Sequence, residues 1–255
     1  MNLNKQIGLI MAALTNVLLL APFTMLHAAD IDAKTPASAA KDGWTLSFSE
    51  EFEGQQVDTN KWIIKDAKER LAKNVSVSAG NLRLLTRRNE KEWTSAWLST
   101  KTFRQKYGWF ECRFRIAGAS GLNNAFWLNT PLERLALKDP TLPRFEIDIV
   151  EAHYPNGVSM NLHNWQGKHT GSGQKHKAET DLSKDFHVYA LEWTPKELNW
   201  YFDGKKVRTL AHTICTAEEE VLLSTKVASF AGKASSALEG KSMDVDYVRI
   251  YQKKE

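Results

Sequence analysis

Short segments of alternating apolar and polar residues fill most of the chain after Gly43, and no other feature limits the possible folds as strongly. In Tyr107–Ile116 every second residue from Phe110 onward is apolar, as in a β-strand with one buried face. Asp203-Gly204 separates two such segments and is a strong signal for a two-residue hairpin. The other predicted strands are Trp44–Phe48, Val75–Ala79, Asn81–Thr86, Phe186–Trp193, Leu198–Phe202, Lys205–Leu210 and Val245–Tyr251.

Helical character is confined to three short stretches, Ala67–Lys73, Leu132–Lys138 and Thr216–Glu220. Many short strands separated by turn signals, with almost no helix between them, are typical of proteins built from packed antiparallel sheets. The sequence therefore predicts an all-β fold, an antiparallel sandwich or jelly roll.

The N-terminal segment has the features of a secretory signal peptide over residues 1–29. Lys5 supplies a positive charge, Ile7–Leu26 is mostly apolar, and alanines follow as a cleavage site. An uncleaved membrane anchor is the alternative, because the apolar run approaches spanning length. Residues 30–42 are small and polar and are predicted to form a flexible linker. We expect a secreted or periplasmic protein, with no membrane span after cleavage and one domain over residues 43–255.

The formal net charge is +4 for the whole chain, and removing Lys5 with the signal segment leaves 4 − 1 = +3. This charge is too small to indicate nucleic-acid binding, and no basic block is present. Cys112 and Cys215 would enter an oxidising compartment, where they form a disulfide or remain thiols. Cys112 alternates with apolar residues, which equally favours a buried thiol. Two cysteines without spaced partners do not make a zinc site, and we expect a monomer.

Three carboxylates lie close together in the segment Arg144–Glu151, which otherwise has the composition of a strand. Glu146 and Asp148 share a face, whereas Glu151 would face the other way in a regular strand. A β-bulge at Ile149-Val150 would return Glu151 to the same face. The Glu146 and Glu151 carboxyls would then lie about 5–6 Å apart, near the separation found in retaining glycosidases. The alternative to a catalytic group is an acidic solvent-facing edge or a calcium site.

The pattern Glu146-x-Asp148-x-x-Glu151 resembles the catalytic signature of glycoside hydrolase family 16 in its bulged, laminarinase- and agarase-like form. Other segments resemble the family in the same order along the chain: Phe48–Gly54, Lys61-Trp62, Gly80–Leu84, Trp97–Lys101, Tyr107–Glu111, Ala125–Trp127, Phe186–Trp193, Tyr201–Gly204 and Asp246–Tyr251. The resemblance covers the whole predicted domain. It implies a concave antiparallel β-jelly-roll sandwich whose cleft binds a polysaccharide along its length.

The resemblance also implies a role for each acid. Glu146 would be the nucleophile that forms a glycosyl-enzyme, Glu151 the acid and then the base, and Asp148 an assisting residue that holds the nucleophile. The expected activity is a secreted endo-acting retaining hydrolase of β-1,3 or β-1,4 linkages in a glucan or galactan. A non-catalytic carbohydrate-binding jelly roll is an alternative that the three retained acids disfavour. A transglycosylase with the same intermediate is not distinguished from a hydrolase by sequence.

Candidate substrate contacts lie on both sides of the acidic segment. Trp127 and Trp109 are candidate platforms for sugar stacking, unless either is a core residue. Asn161 and His163 share a face with Trp165 on the predicted next strand, antiparallel to the acidic one. The family often has a histidine here, which would orient a carboxylate or contact sugar; a structural histidine is the alternative.

Two segments bear on the kind of sugar. Laminarinase-like members usually have Trp-Pro before Ala-Phe-Trp, whereas this chain has Asn123-Asn124, which is more similar to the agarases. We predict that Asn124 contacts substrate. Gln166–Lys177 is basic and is predicted to be a solvated loop; if it borders the cleft, it favours an anionic polysaccharide. The side chains that would do so are Lys168, His169, Lys175 and His176.

Members of this family often hold a structural calcium ion away from the cleft. The resemblance places its ligands at Glu51, the Gly80 carbonyl and Asp246, and oxygen ligands suit Ca²⁺. No cofactor is expected to be required for catalysis.

Overall fold

The structure is a computed structural model that describes residues 43–90 and 92–254, so the predicted signal peptide and linker lie outside the described residues. Nearly all regular structure in this part of the chain is β. The strands are β1 (Trp44–Glu50), β2 (Trp62–Ile64), β3 (Val75–Ser78), β4 (Asn81–Leu85), β5 (Arg87–Arg88), β6 (Trp93–Thr94), β7 (Trp97–Thr100), β8 (Gly108–Arg115), β9 (Leu122–Asn129), β10 (Phe145–His153), β11 (Gly157–Asn164), β12 (Thr170–Lys177), β13 (His187–Trp193), β14 (Glu197–Phe202), β15 (Lys205–Ala211), β16 (Glu220–Val227) and β17 (Ser242–Lys253).

The strands form two large antiparallel sheets and one small hairpin. The back sheet has the order β15-β14-β13-β8-β17-β4-β3, and β1 also pairs with β17. The cleft sheet has the order β12-β11-β10-β9-β16-β7-β2, while β5 and β6 pair separately. Neighbours in each sheet are often distant in sequence, as in a jelly roll. The predicted antiparallel sandwich is confirmed.

The main core lies between the two large sheets. Phe110 and Phe114 of β8 enter it from the back sheet, and Phe126 of β9 and Ile147 of β10 enter it from the cleft sheet. All four side chains are fully buried. Burying one large apolar side chain contributes roughly 1.5–3 kcal/mol, so these alternating positions determine which face of each sheet turns inward. The alternation predicted for Tyr107–Ile116 is confirmed.

The predicted loop over Gln166–Lys177 is wrong, because most of it is the edge strand β12. Strand β12 pairs with β11 over its whole length, from Thr170 with Asn164 to Lys177 with Gly157. The segment has no apolar alternation because neither of its faces is deeply buried. Backbone pairing with β11 therefore outweighs the weak strand propensity of its glycines and lysines.

Helices are short, as the sequence predicts. One α-helix is present in the described residues, α1 (Leu132–Ala136), within the predicted stretch Leu132–Lys138. Three 3₁₀ turns occur at Ala72–Asn74, Ser229–Ala231 and Ser236–Leu238. The predicted helix over Thr216–Glu220 is absent, because Glu220 already begins β16. No helix in the described ranges is long and apolar enough to cross a membrane.

The two cysteines do not form a disulfide. Both thiols are free and fully buried. Cys112 packs in the core beside the aromatic side chains of β8, which agrees with the buried-thiol alternative. Burial raises the pKa of both thiols above the ordinary value, so neither is an exposed reactive thiolate.

Candidate active site

Strand β10 places the three acids on one face through a β-bulge. Asp148 pairs with Asn161 of β11, but Glu151 pairs with Ser159, so one extra residue lies on β10 between these positions. The register to β9 shifts at the same place. Ile149 and Val150 both pack in the core, while the three acids face the open side of the cleft sheet. The bulge predicted at Ile149-Val150 is confirmed.

Asn161 connects two of the acids. Its Nδ2 donates to Asp148 Oδ2 at 3.0 Å and to Glu151 Oε2 at 2.9 Å. His163 lies two residues further along β11, with its Nε2 3.4 Å from Asp148 Oδ2. Asn161 and His163 therefore lie beside the acids, on the face predicted from alternation, and their contact with substrate stays a prediction.

Trp165 contacts the remaining acid. Its Nε1 donates to Glu146 Oε2 at 3.2 Å, and 38% of its surface is exposed. His169 stacks on this indole with ring centroids 4.0 Å apart, and its Nε2 lies 3.0 Å from Nδ1 of His163. The sequence placed Trp165 on the correct face by alternation. The contacts of His169 with Trp165 and His163 could not be predicted from the local sequence, because they depend on how the chain folds back along β11.

Asn123 is a site residue that sequence reasoning missed. Its Nδ2 donates to Glu151 Oε1 at 2.7 Å, and its Oδ1 accepts a hydrogen bond from His153 Nε2 at 3.0 Å. The prediction for Asn124 is wrong: this side chain is fully buried on the other face and donates to the Ala152 carbonyl oxygen at 3.0 Å. Every second residue of β9 faces the cleft, so counting back from Trp127 would have predicted Asn123 as the cleft-facing asparagine.

The two predicted tryptophan platforms lie in different sheets. Trp127 is opposite Asp148 on β9 and lines the cleft, where its ring meets that of Trp97 edge to face at 5.0 Å. The prediction for Trp109 is wrong, because this residue belongs to the back sheet. Its Nε1 donates to buried Glu111, and its ring packs against Tyr201 of the same sheet, whereas β10 belongs to the cleft sheet.

The far wall of the cleft combines aromatic and cationic side chains from separate segments. Besides Trp97 and Trp127, it is lined by Arg70, Lys226 and Phe230. The Arg70 guanidinium lies over the Trp97 ring, 5.3 Å from its centroid. Sequence reasoning did not find these residues, since no local motif relates them.

The environment raises the pKa of both glutamates of the cleft, Glu146 and Glu151. Burial and then the negative charge of Asp148 raise the pKa of Glu146 to about 7. The same two causes raise the pKa of Glu151, although the amides of Asn123 and Asn161 act in the opposite direction. The hydrogen bond to Asp148 raises the pKa of His163. A raised pKa favours the protonated form of a carboxyl group, which is the form that a general acid requires.

The predicted calcium ligands are near one another in the fold. Strands β1 and β4 both pair with β17, which brings Glu51 and Gly80 toward Asp246. However, Arg249 holds the Glu51 carboxylate through two hydrogen bonds of 2.8 Å, and Arg113 binds Asp246. Both acidic side chains are therefore paired with an arginine in this arrangement. Calcium binding stays a prediction.

Within the described ranges, one group of three potential metal-ligating side chains lies close together: Glu146, Asp148 and His163, with ligand atoms within 4.8 Å of one another. These are the residues of the acidic cleft itself. Glu146 and Asp148 lie on the bulged strand β10, and His163 lies beside them on β11.

The model of the glycosyl hydrolases family 16 matches residues 51–249, which includes all the acids of the cleft. The chain belongs to family 16. Within this family it is similar to endo-1,3-1,4-beta-glycanase EglC of Rhizobium meliloti (strain 1021), with 34% identity over 170 residues covering 64% of this chain and 34% of that protein. It is also similar to kappa-carrageenase of Pseudoalteromonas carrageenovora, with 26% identity over 285 residues covering 90% of this chain and 70% of that protein.

The fold is similar to that of solved family 16 proteins. The crystal structure of laminarinase from Flavobacterium sp. UMI-01 superimposes with a TM-score of 0.71 at 22% identity, covering 82% of this chain and 100% of that chain. The chain spans only about a third of the length of EglC, so the similarity covers only that part of EglC.

Proposed function

We propose that this domain is an endo-acting, retaining glycoside hydrolase that cleaves β-linked polysaccharides. The observation that carries the proposal is the bulge in β10, which aligns Glu146, Asp148 and Glu151 in one open cleft. Membership of family 16 and the glycanase names of its relatives support the same conclusion. A binding module without catalysis would not need three acids held at mutual electrostatic cost.

Glu146 is the proposed nucleophile. Its carboxylate attacks the anomeric carbon, while the proton of Glu151 passes to the leaving oxygen as the glycosidic bond breaks. Water then transfers a proton to Glu151 and attacks the same carbon, which releases the sugar and frees Glu146. The N–H of Trp165 favours the ionised form of Glu146 and orients it.

Asp148 supports both steps without reacting. Burial and then the charge of Asp148 raise the pKa of Glu151, which favours the protonated form that cleavage needs. Formation of the glycosyl ester removes the charge of Glu146, which lowers the pKa of Glu151 and prepares it to act as a base. Asn161 and His163 hold Asp148 in place between the two glutamates.

Cations around the cleft favour a polysaccharide that carries carboxylate or sulfate groups. Lys175 pairs with Ser159 on the cleft-facing side of β12. Burial lowers the pKa of His153, and the charge of Lys175 lowers it further. His176 faces away and contacts Phe202 instead. His169 lies on the cleft side against Trp165. Other basic residues lining the cleft or the adjoining depression beside Trp165 are Arg70, Lys226, Lys138 and Arg144.

The test is a polysaccharide panel with product analysis: laminarin, mixed-linkage glucan, agarose, carrageenan and porphyran. Wild type and Glu146→Gln are compared on the preferred substrate, with a loss of turnover of about 10³-fold or more expected for the variant. Wild-type turnover by Glu146→Gln would show that the assigned nucleophile is wrong. Initial products of retained anomeric configuration are expected, and product chains longer than the substrate would identify transglycosylation.

Charge selection is tested separately with Lys175→Gln and Arg144→Gln. We expect each variant to lower kcat/KM on an anionic glycan several-fold and to leave the rate on its neutral counterpart unchanged. His176→Gln is the matched control, because its ring faces away from the cleft. Equal effects on charged and neutral glycans would contradict the anionic preference and leave the hydrolase assignment intact.

A further inference from the structure

Two glycines lie on the cleft-facing side of the edge strand β12, next to the residues that hold the catalytic acids. Gly173 pairs with Asn161, and Gly171 pairs with His163. Neither glycine has a positive φ, so the backbone conformation at these positions accepts any residue. Glycine inside a strand costs about 0.5–1 kcal/mol relative to alanine. Its presence at Gly173 therefore needs a reason other than backbone conformation.

The reason is the close approach of Asn161. A Cβ atom added to Gly173 would lie 2.6 Å from Asn161 Oδ1, which is too close for any real contact. At Gly171 the corresponding distance to His163 Nδ1 is 3.1 Å, which a small movement relieves. Gly173 is exposed, so the core imposes no limit on size there. Glycine in a strand often marks such an approach of a neighbouring group.

Asn161 cannot move away without losing its hydrogen bonds. The two N–H groups of its Nδ2 are both in use, one on Asp148 and one on Glu151. Turning the amide to remove Oδ1 from a new Cβ atom would turn Nδ2 away from both carboxylates. The Asn161 amide thus connects Gly173 on β12 with the positions of Asp148 and Glu151 on β10.

We infer that Gly173 is a positioning residue of the active site, whose missing side chain allows Asn161 to hold Asp148 and Glu151 in a single arrangement. This inference rests on the proposed function and extends it to a strand that carries none of the acids. It concerns orientation only, since Gly173 itself offers no group to substrate.

The experiment is a double-mutant cycle with Gly173→Ala and Asn161→Ala, measured on the polysaccharide that the wild type prefers. Gly173→Ala is expected to lower kcat about 10-fold with KM changed less than 2-fold. In the Asn161→Ala background, which has no Oδ1 to displace, the same substitution is expected to have almost no effect. A wild-type rate for Gly173→Ala, or an equal loss in both backgrounds, would overturn the inference.

Two further readouts separate positioning from a structural defect. Alanine suits a strand better than glycine, so the melting temperature of Gly173→Ala should be unchanged or slightly raised. Loss of the Asn161 hydrogen bond should raise the pKa of Glu151 and move the alkaline limb of the kcat/KM profile to higher pH. Gly171→Ala is the graded control and should have a smaller effect on both readouts.

Glu146→Gln, assayed alongside, distinguishes the two levels of the proposal. If Glu146→Gln is inactive and Gly173→Ala is fully active, the hydrolase function stands and the role of Gly173 is wrong. If Glu146→Gln is also active, the proposed function itself fails. A crystal structure of Gly173→Ala gives a test that needs no activity, since Asn161 Nδ2 should have moved away from both acids.

Discussion

At the scale of single residues, the site depends on amide groups as much as on carboxylates. Both oxygens of Glu151 accept a hydrogen bond from an asparagine, Oε1 from Asn123 and Oε2 from Asn161. Amides orient a carboxyl group without adding a charge that would keep it ionised. Burial and the neighbouring Asp148 therefore still raise the pKa of Glu151, as a catalytic acid requires.

Asn123→Ala should move the alkaline limb of the kcat/KM profile upward in pH. The Asn123 hydrogen bond favours the ionised form of Glu151, so its loss raises the pKa of Glu151 and the acid stays protonated to a higher pH. We expect a shift of about 0.5–1 pH unit together with a lower kcat. The pH dependence of initial rates measures it. Asn199→Ala, which changes an amide in the back sheet, should leave the limb in place, and an unmoved limb for Asn123→Ala would contradict the assignment of Glu151 as the acid.

Glu111→Gln should change how stability depends on pH. Burial raises the pKa of Glu111 from 4.5 to about 7, so the folded protein holds this proton more tightly than the unfolded chain does. The contribution of Glu111 to the free energy of unfolding, roughly 3 kcal/mol, is therefore fully present below pH 4.5 and is lost as the pH rises to about 7. A glutamine at this position does not titrate, so the variant should not show this decrease in the free energy of unfolding. Urea unfolding at pH 4.5 and pH 8 should show a smaller loss of stability in Glu111→Gln than in the wild type.

The surface variant Glu53→Gln is the comparison for Glu111→Gln, because it removes a carboxylate that is exposed to solvent. An unchanged difference between the two pH values in Glu111→Gln would show that Glu111 is ionised in the folded protein throughout this range.

At the scale of elements, the bulge in β10 is held from the opposite sheet. The bulge interrupts the ladder beside Asp148, and the Asp148 carbonyl oxygen accepts a hydrogen bond of 3.0 Å from Trp200 Nε1 of β14. Trp200 is fully buried, so this bond forms inside the core. A back-sheet residue thereby supports the acidic strand β10 at the point where its regular pairing is interrupted.

Trp200→Phe should destabilise the protein and slow catalysis more than Trp193→Phe does. Both indoles are fully buried in the back sheet, but Trp193 Nε1 has no hydrogen-bond partner in the described ranges. The two substitutions remove similar volumes, and only the first leaves a buried carbonyl unsatisfied. The expected difference in unfolding free energy is about 1–3 kcal/mol. Urea unfolding and kcat measure the two effects, and equal values for both variants would argue against the Trp200 bond as a support of the bulge.

At the scale of the whole molecule, stability comes from the core between the two sheets rather than from covalent cross-links. Both cysteines are buried thiols, and the core extends across strands that are far apart in sequence. The fold therefore depends on simultaneous packing of both sheets. Cooperative unfolding in one transition is expected for such an arrangement.

Reducing agent should leave the melting temperature of the protein unchanged. With no disulfide between Cys112 and Cys215, reduction has no cross-link to remove. A thiol reagent should react with about two groups per chain in guanidinium and with almost none in the native protein, since both thiols are buried. A melting temperature that falls on reduction, or fewer than two thiols after unfolding without reductant, would show that a disulfide does form.

Local patterns in the sequence were sufficient for strands that have one buried face, and for the acidic strand in particular. Alternation identified the inward faces of β8 and β10, and the spacing of the acids required the bulge that the structure contains. The same rule placed Asn161 and His163 beside the acids. These predictions succeeded because side-chain direction in a strand depends only on nearest neighbours along the chain.

Other parts of the site were decided only by tertiary structure. Trp109 is of a residue type that stacks on sugars, yet its strand lies in the back sheet. Asn123 and Asn124 are the same residue type, but Asn123 faces the cleft and Asn124 is buried on the other face of the sheet. Strand β12 has no apolar pattern and forms because β11 offers it an edge. By itself, the sequence determined the fold class, the acidic strand and the face on which its three acids lie. Long-range packing decided which sheet each strand joins and which distant side chains contact the acids. Because this packing involves both sheets at once, it leaves no signal within a single segment of the sequence.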